Sequence, residues 1–164
     1  MYGASCTGKS TSARTLARLL GCALRSAGEA IRARSIELKT KPSALTLDEH
    51  RKIDETTRYF AASGPEPLVI EGTFLDALLS DIENIRLVEL ICADHERQRR
   101  YGDREGSHGL LSRDNADQKL RYSLHGNHKG TPDITIDTTS KTPEEVAGEI
   151  VTWIQSKDAT EERS

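Results

Sequence analysis

Gly3-Ala4-Ser5-Cys6-Thr7-Gly8-Lys9-Ser10, followed at once by Thr11, is the stretch whose reading decides the fold. It matches G-x-x-x-x-G-K-[ST], and beyond it Ala13, Leu16, Ala17, Leu19 and Leu20 recur at helical spacing up to a stop at Gly21. A loop of this type aims successive backbone N–H groups at one point at the positive end of a helix, which makes a nest for the phosphates of a nucleotide. Lys9 would neutralise the β- and γ-phosphates, and the Ser10 hydroxyl would enter the shell of a Mg²⁺ ion. The expected nucleotide contacts are therefore Gly3, Ala4, Ser5, Cys6, Thr7, Gly8, Lys9, Ser10 and Thr11. Such a loop normally follows a buried strand, yet only Met1 and Tyr2 precede Gly3. Most of the first strand is expected to be missing from this chain, with a truncated start favoured over a sheet that does without its central strand.

Working outward, short apolar runs alternate with helical patterns. Strands are expected at Cys22 to Arg25, Leu68 to Ile70, Leu87 to Cys92 and Ile134 to Ile136. Helices are expected from about Glu29 to Leu38, from Thr46 to the Gly64-Pro65 stop, from Asp94 to Arg104, from Leu111 to Leu124, and onward from the Thr142-Pro143-Glu144-Glu145 start. Strands alternating with helices argue an α/β fold, a parallel sheet between helical layers with the site at the strands' carboxyl ends. Glu71 falls at such an end, after Leu68-Val69-Ile70, where it could hold Mg²⁺ through water. One domain over residues 1–157 and a polar tail at 158–164 account for the 164 residues.

Bulk properties narrow the function. A net charge of −3 with dispersed basic residues gives no electrostatic reason to expect nucleic acid or a membrane surface. No apolar run approaches a bilayer span and no leader precedes the loop, so the expected place is the cytoplasm, as a monomer or dimer. Three cysteines without a C-x-x-C pair suggest neither disulfides nor zinc, and His125 and His128 around Gly126 read as a polar loop.

A phosphotransferase also needs cations that follow charge onto the moving phosphoryl oxygens. Arg97, Arg100 and Arg104 recur along one side of a helix, and Arg113 and Arg121 follow in the next, across the Gly106 to Gly109 loop. That pair of helices, about residues 97–125, has the character of a lid that could close over nucleotide and exclude water. The plainer reading is a solvated charged surface in which the arginines pair with Asp103, Glu105, Asp114 and Asp117.

At this point the chain resembles the small P-loop nucleoside monophosphate kinases, specifically the short archaeal-type cytidylate kinases. Ser26-Ala27-Gly28-Glu29 with Arg32 is similar to their acceptor-binding S-A-G-E-x-x-R, and Ile53-Asp54 to an Ile-Asp pair. Val69-Ile70-Glu71-Gly72 resembles their third strand. Ala93-Asp94, Arg97, Arg100 and Arg104-Glu105-Gly106 resemble the fourth strand and lid entry, Arg121-Tyr122 the lid exit, and Asp133 to Thr138 the last strand. The resemblance implies a P-loop NTPase three-layer fold with a helical lid, and transfer of a phosphoryl group from ATP–Mg²⁺ to a small-molecule acceptor. On that reading Lys9, Arg100 and Arg104 are catalytic, Arg97 joins the nucleotide site, Ser26, Gly28, Arg32, Asp54 and Arg121 face the acceptor, and Ser10 and Glu71 serve the metal. Thr73 departs from the family, which has there an arginine that grips the acceptor's phosphate, so a monophosphate acceptor is in question. Two alternatives stay open: a non-catalytic nucleotide-binding switch, although no N-K-x-D-like guanine motif occurs, and an inactive truncated kinase-like fragment.

Overall fold

The computed structural model describes residues 1–64, 66–106 and 109–161. Element order follows the sequence pattern: α1 (Lys9–Leu20), β1 (Ala23–Ser26), α2 (Ala27–Glu37), a short 3₁₀ turn (Pro42–Ala44), α3 (Leu47–Ser63), β2 (Leu68–Glu71), α4 (Leu75–Leu79), β3 (Val88–Ile91), α5 (Asp94–Glu105), α6 (Leu110–His125), β4 (Ile134–Asp137) and α7 (Pro143–Glu161). Caps explain several of these boundaries. Ser26 accepts from Glu29 N at the start of α2, Thr46 accepts from Glu49 N at the start of α3, and Thr142 accepts from Glu145 N ahead of α7.

β1 pairs in parallel with β2, and β3 in parallel with β4. Between the two pairs lie Met1 and Tyr2. Met1 N donates to Ile70 O at 2.8 Å and Met1 O accepts from Gly72 N, while Tyr2 N donates to Val88 O at 2.8 Å and Tyr2 O accepts from Leu90 N. The central position of the sheet is thus filled by two residues, which is how the expected shortage of first strand is realised. The order across the sheet is β1, β2, Met1–Tyr2, β3, β4, and the carboxyl ends of all of them meet the loop beginning at Gly3.

Two apolar clusters flank this sheet. Ala13, Leu16 and Ala17 of α1 and Val146, Ala147 and Ile150 of α7 close on Val69, Val88, Leu90 and Ile136. On the other face Ile70, Tyr2 and Leu87 pack with Leu75, Leu78 and Leu79 of α4, with Ala61 of α3 alongside. Burying so many aliphatic side chains, each worth about 1.5–3 kcal/mol, is what holds the layers together.

Two features differ from the sequence pattern. α4 was not expected, although Leu75, Leu78 and Leu79 have i, i+3, i+4 spacing, because one turn is too short for periodicity to reveal. α7 continues through Asp158 to Glu161, since Lys157, Ala159 and Glu161 favour helix and no Gly or Pro intervenes; 162–164 lie outside the described residues, as do Ser107 and His108 of the expected Gly106 to Gly109 loop.

Candidate nucleotide and acceptor site

The loop from Gly3 to Ser10 wraps the start of α1. Gly3 has φ 147°, and a Cβ there would lie 2.2 Å from Leu90 O, so only glycine allows the chain to pass β3 this closely. Gly8, at φ 85°, caps α1 in the left-handed region with no side-chain hydrogen bond, which leaves the first-turn N–H groups for an anion. Cys6 also takes a positive φ, 65°, curling the loop into a concave nest. Thr7 Oγ1 donates to Ala4 O at 3.0 Å, and Thr138, just past β4, donates to Thr7 O at 2.9 Å from a fully buried position. Thr138 thereby braces the loop from the far side of the sheet.

Lys9 is buried and donates to Ala4 O at 2.6 Å. Burial pushes its ammonium down to about 8, against the upward pull of the Glu71 and Asp117 carboxylates. Ser10 Oγ donates to Glu71 Oε1 at 3.2 Å, and Ser26 Oγ donates to the same oxygen. Glu71, 3% exposed, is therefore fixed between the start of α1 and the start of α2. A hydroxyl and a carboxylate side by side are the hard oxygen donors that Mg²⁺ takes when phosphates and water complete its shell, so these residues fit that ion. No cluster of three or more His, Cys, Asp or Glu suited to a metal occurs among the described residues.

The arginines divide. Arg97 is 8% exposed: its Nε donates to Ser5 O at 3.0 Å, its Nη2 to both Asp114 oxygens at 2.6 and 2.7 Å, and its Nη1 to Asp94 at 3.2 Å. Arg100 lies beside Gly8, donating to Thr138 O at 2.7 Å and to Glu96 at 2.8 Å. Arg104, one turn on, is exposed and pairs with Glu105 away from the loop. The arginines are ion-paired, as the plainer reading has it, while Arg97 also bonds Ser5 O of the loop and Arg100 lies beside Gly8.

Of the residues expected to face an acceptor, Ser26 is in contact with Glu71, and Gly28 opens α2 with the exposed Arg32 guanidinium folded back beside it. Arg32 has no ion-pair partner among the described residues. Arg121 is committed elsewhere: it grips both oxygens of the fully buried Asp76 at 2.9 and 2.6 Å and donates to His128 O. Asp54 of α3 lies 3.4 Å from His125 Nε2 of α6, a separation and alignment that leave that buried nitrogen without a hydrogen-bond partner. Burial lifts the Asp54 carboxyl to about 6 and lowers the His125 imidazole. Asp76 and Asp117 were not singled out as site residues from sequence, and their spacing from Arg121 and Ser5 carries no signal that could have found them. Thr138 had one weak signal, a polar residue at the carboxyl end of an apolar strand.

Parallel strands converging on a phosphate loop, with a buried lysine and a hydroxyl–carboxylate pair, define the class as a P-loop α/β protein. Residues 1–121 match the family model of the AAA domain, and the chain belongs to that family. No curated protein matches the chain. Among solved structures it is similar to an uncharacterised protein from Eubacterium ventriosum (TM-score 0.68, 20% identity, covering 94% of this chain and 95% of that one). It is also similar to a shikimate kinase from Acinetobacter baumannii in complex with shikimate (0.65, 20%, 95% and 91%) and a gluconokinase from Sinorhizobium meliloti (0.61, 18%, 90% and 85%). At these identities the likeness is one of fold. No helix among the described residues is long and apolar enough to cross a membrane.

Proposed function

We propose that this protein is a kinase that moves the γ-phosphoryl group of ATP to a hydroxyl of a small acceptor. The observation that carries the reading is the Ser10–Glu71–Ser26 contact, which joins the phosphate loop to the start of α2, so that donor and acceptor would meet at one buried carboxylate. Ser10 and Glu71 would hold Mg²⁺, which supplies charge neutralisation on the β- and γ-phosphates when bound. Lys9 is placed to leave Ala4 O for a phosphate oxygen, and the loop N–H groups to fix the β-phosphate. Arg97 and Arg100 follow the transferred group if α5 and α6 act as a lid, and Arg104 would reach it only if that lid closes further.

The acceptor we favour is a small hydroxylated metabolite. Thr73 stands where the cytidylate kinases carry an arginine, and Arg121 is held by Asp76, so two cations that could grip a monophosphate are absent or engaged. Arg32 remains open near Ser26 and would draw an acidic group of the acceptor. The fold neighbours named for shikimate and gluconate act on small hydroxy acids, which agrees with this choice.

The test is ADP release from ATP–Mg²⁺ with a panel of hydroxy acids, polyols, nucleosides and nucleoside monophosphates. The expected outcome is turnover on one of the first three classes, abolished in Lys9→Ala because contacts of this kind are worth several kcal/mol. Near wild-type transfer by Lys9→Ala would refute the kinase reading. A monophosphate used at kcat/KM above ~10⁴ M⁻¹s⁻¹, within the ordinary enzyme range, would restore the cytidylate-kinase reading. Nucleotide binding with no transfer to any of the four classes would leave the switch.

A further inference from the structure

The phosphate loop already holds an anion, and the anion comes from α6. Ser5 Oγ donates to Asp117 Oδ2 at 3.0 Å, across 112 residues of sequence. The Asp117 side chain is 16% exposed, and its charge acts on the buried Lys9 ammonium together with that of Glu71. Arg113 flanks it at 3.2 Å from the solvent side. The contact is not a lone surface pair, because Arg97 ties the same loop residue to the same helix, taking Ser5 O with Nε and Asp114 with Nη2.

We propose that Asp117 is a specificity-determining residue which makes the loop prefer metal-complexed nucleotide to metal-free nucleotide. The inference rests on the nucleotide-binding reading of the loop. Metal-free ATP brings roughly four negative charges to a site that contains this carboxylate, and complexation by one divalent cation reduces them to roughly two. Repulsion between a fixed carboxylate and the ligand scales with the ligand's charge, in a partly buried place where solvent screens it poorly. Asp117 therefore penalises the metal-free form about twice as strongly in the logarithm of affinity. Lys9 does not neutralise Asp117 directly, since its ammonium is turned to the Ala4 carbonyl at 2.6 Å.

The experiment measures Kd for ATP by calorimetry on wild type, Asp117→Asn and Asp117→Ala, once in excess Mg²⁺ and once in excess EDTA. Asp117→Asn should gain about fivefold for ATP–Mg²⁺ and about the square of that, roughly 25-fold, for metal-free ATP. Equal gains in the two conditions, no gain, or a loss would overturn the assignment. Each variant is first checked for a cooperative melt. If both aspartate variants fail it, Ser5→Ala, which releases Asp117 from the loop, should show the same ordering at smaller size, and an unordered result overturns the proposal equally. Absence of ATP–Mg²⁺ binding by the wild type would defeat the nucleotide reading itself, whereas binding without the ordered gain defeats only the role of Asp117.

Discussion

Lys9 shows how far a single residue's chemistry departs from its motif. The G-x-x-x-x-G-K-[ST] spacing names the cation, but the fold decides its state: burial holds the ammonium at about 8, below its ordinary 10.5. A lysine depressed in this way takes up a proton less readily when folded, so the folded chain is penalised as pH falls below 10.5, fully so below about 8. Phosphate oxygens remove that penalty by raising the value again. Nucleotide binding at pH 8 should therefore take up roughly half a proton, and at pH 6.5 almost none. Calorimetry in buffers of differing ionisation enthalpy reads this directly, and an uptake that does not change between those pH values would contradict a buried lysine held at about 8.

At the scale of elements, α4 and α6 are joined by one buried ion pair. Asp76 is fully buried and Arg121 takes both of its oxygens, while the Phe74 ring lies 5.9 Å from the guanidinium. Removing one partner of such a pair leaves an uncompensated charge and costs ~3–5 kcal/mol, whereas replacing both with apolar groups is often close to neutral. Asp76→Ala should lower stability in urea by about 3 kcal/mol, and the double variant Asp76→Leu with Arg121→Met should recover most of it. Additive losses in the double variant would show that the two helices are not coupled through this pair. The sequence marked Arg121 as a lid-exit arginine, correctly placing it on α6, but the aspartate 45 positions away that engages it lies on the short helix periodicity missed.

Over the whole molecule, the two halves of the sheet meet through Met1 and Tyr2 and through the loop that follows them. Four backbone hydrogen bonds, from Ile70 and Gly72 on one side to Val88 and Leu90 on the other, span this join. A ligand that fills the loop clamps the same join, so its binding energy should appear as global stability. ATP–Mg²⁺ at one hundred times its Kd should contribute ~2.7 kcal/mol. For a chain of this length that is a rise in Tm of roughly 5–10 °C. Lys9→Ala should lose most of the rise while melting cooperatively without ligand; a shift of unchanged size would place the nucleotide elsewhere.

The sequence by itself determined what depends on neighbours in the chain. The phosphate loop, the helix it opens, the strand that ends in Glu71 and the capped starts of α3 and α7 are all set by residues within about one turn of each other, and local patterns suffice to read them. Only the tertiary structure decided which charges meet. Arg97 bonds the loop and Arg100 the Thr138 carbonyl while Arg104 pairs with Glu105, Arg121 is occupied by Asp76, and Asp117 stands on Ser5, because these contacts depend on how α5 and α6 fold back over the sheet. Ion pairs between distant segments leave no periodic trace in a sequence, since any of the neighbouring acids offers the same chemistry until packing selects one.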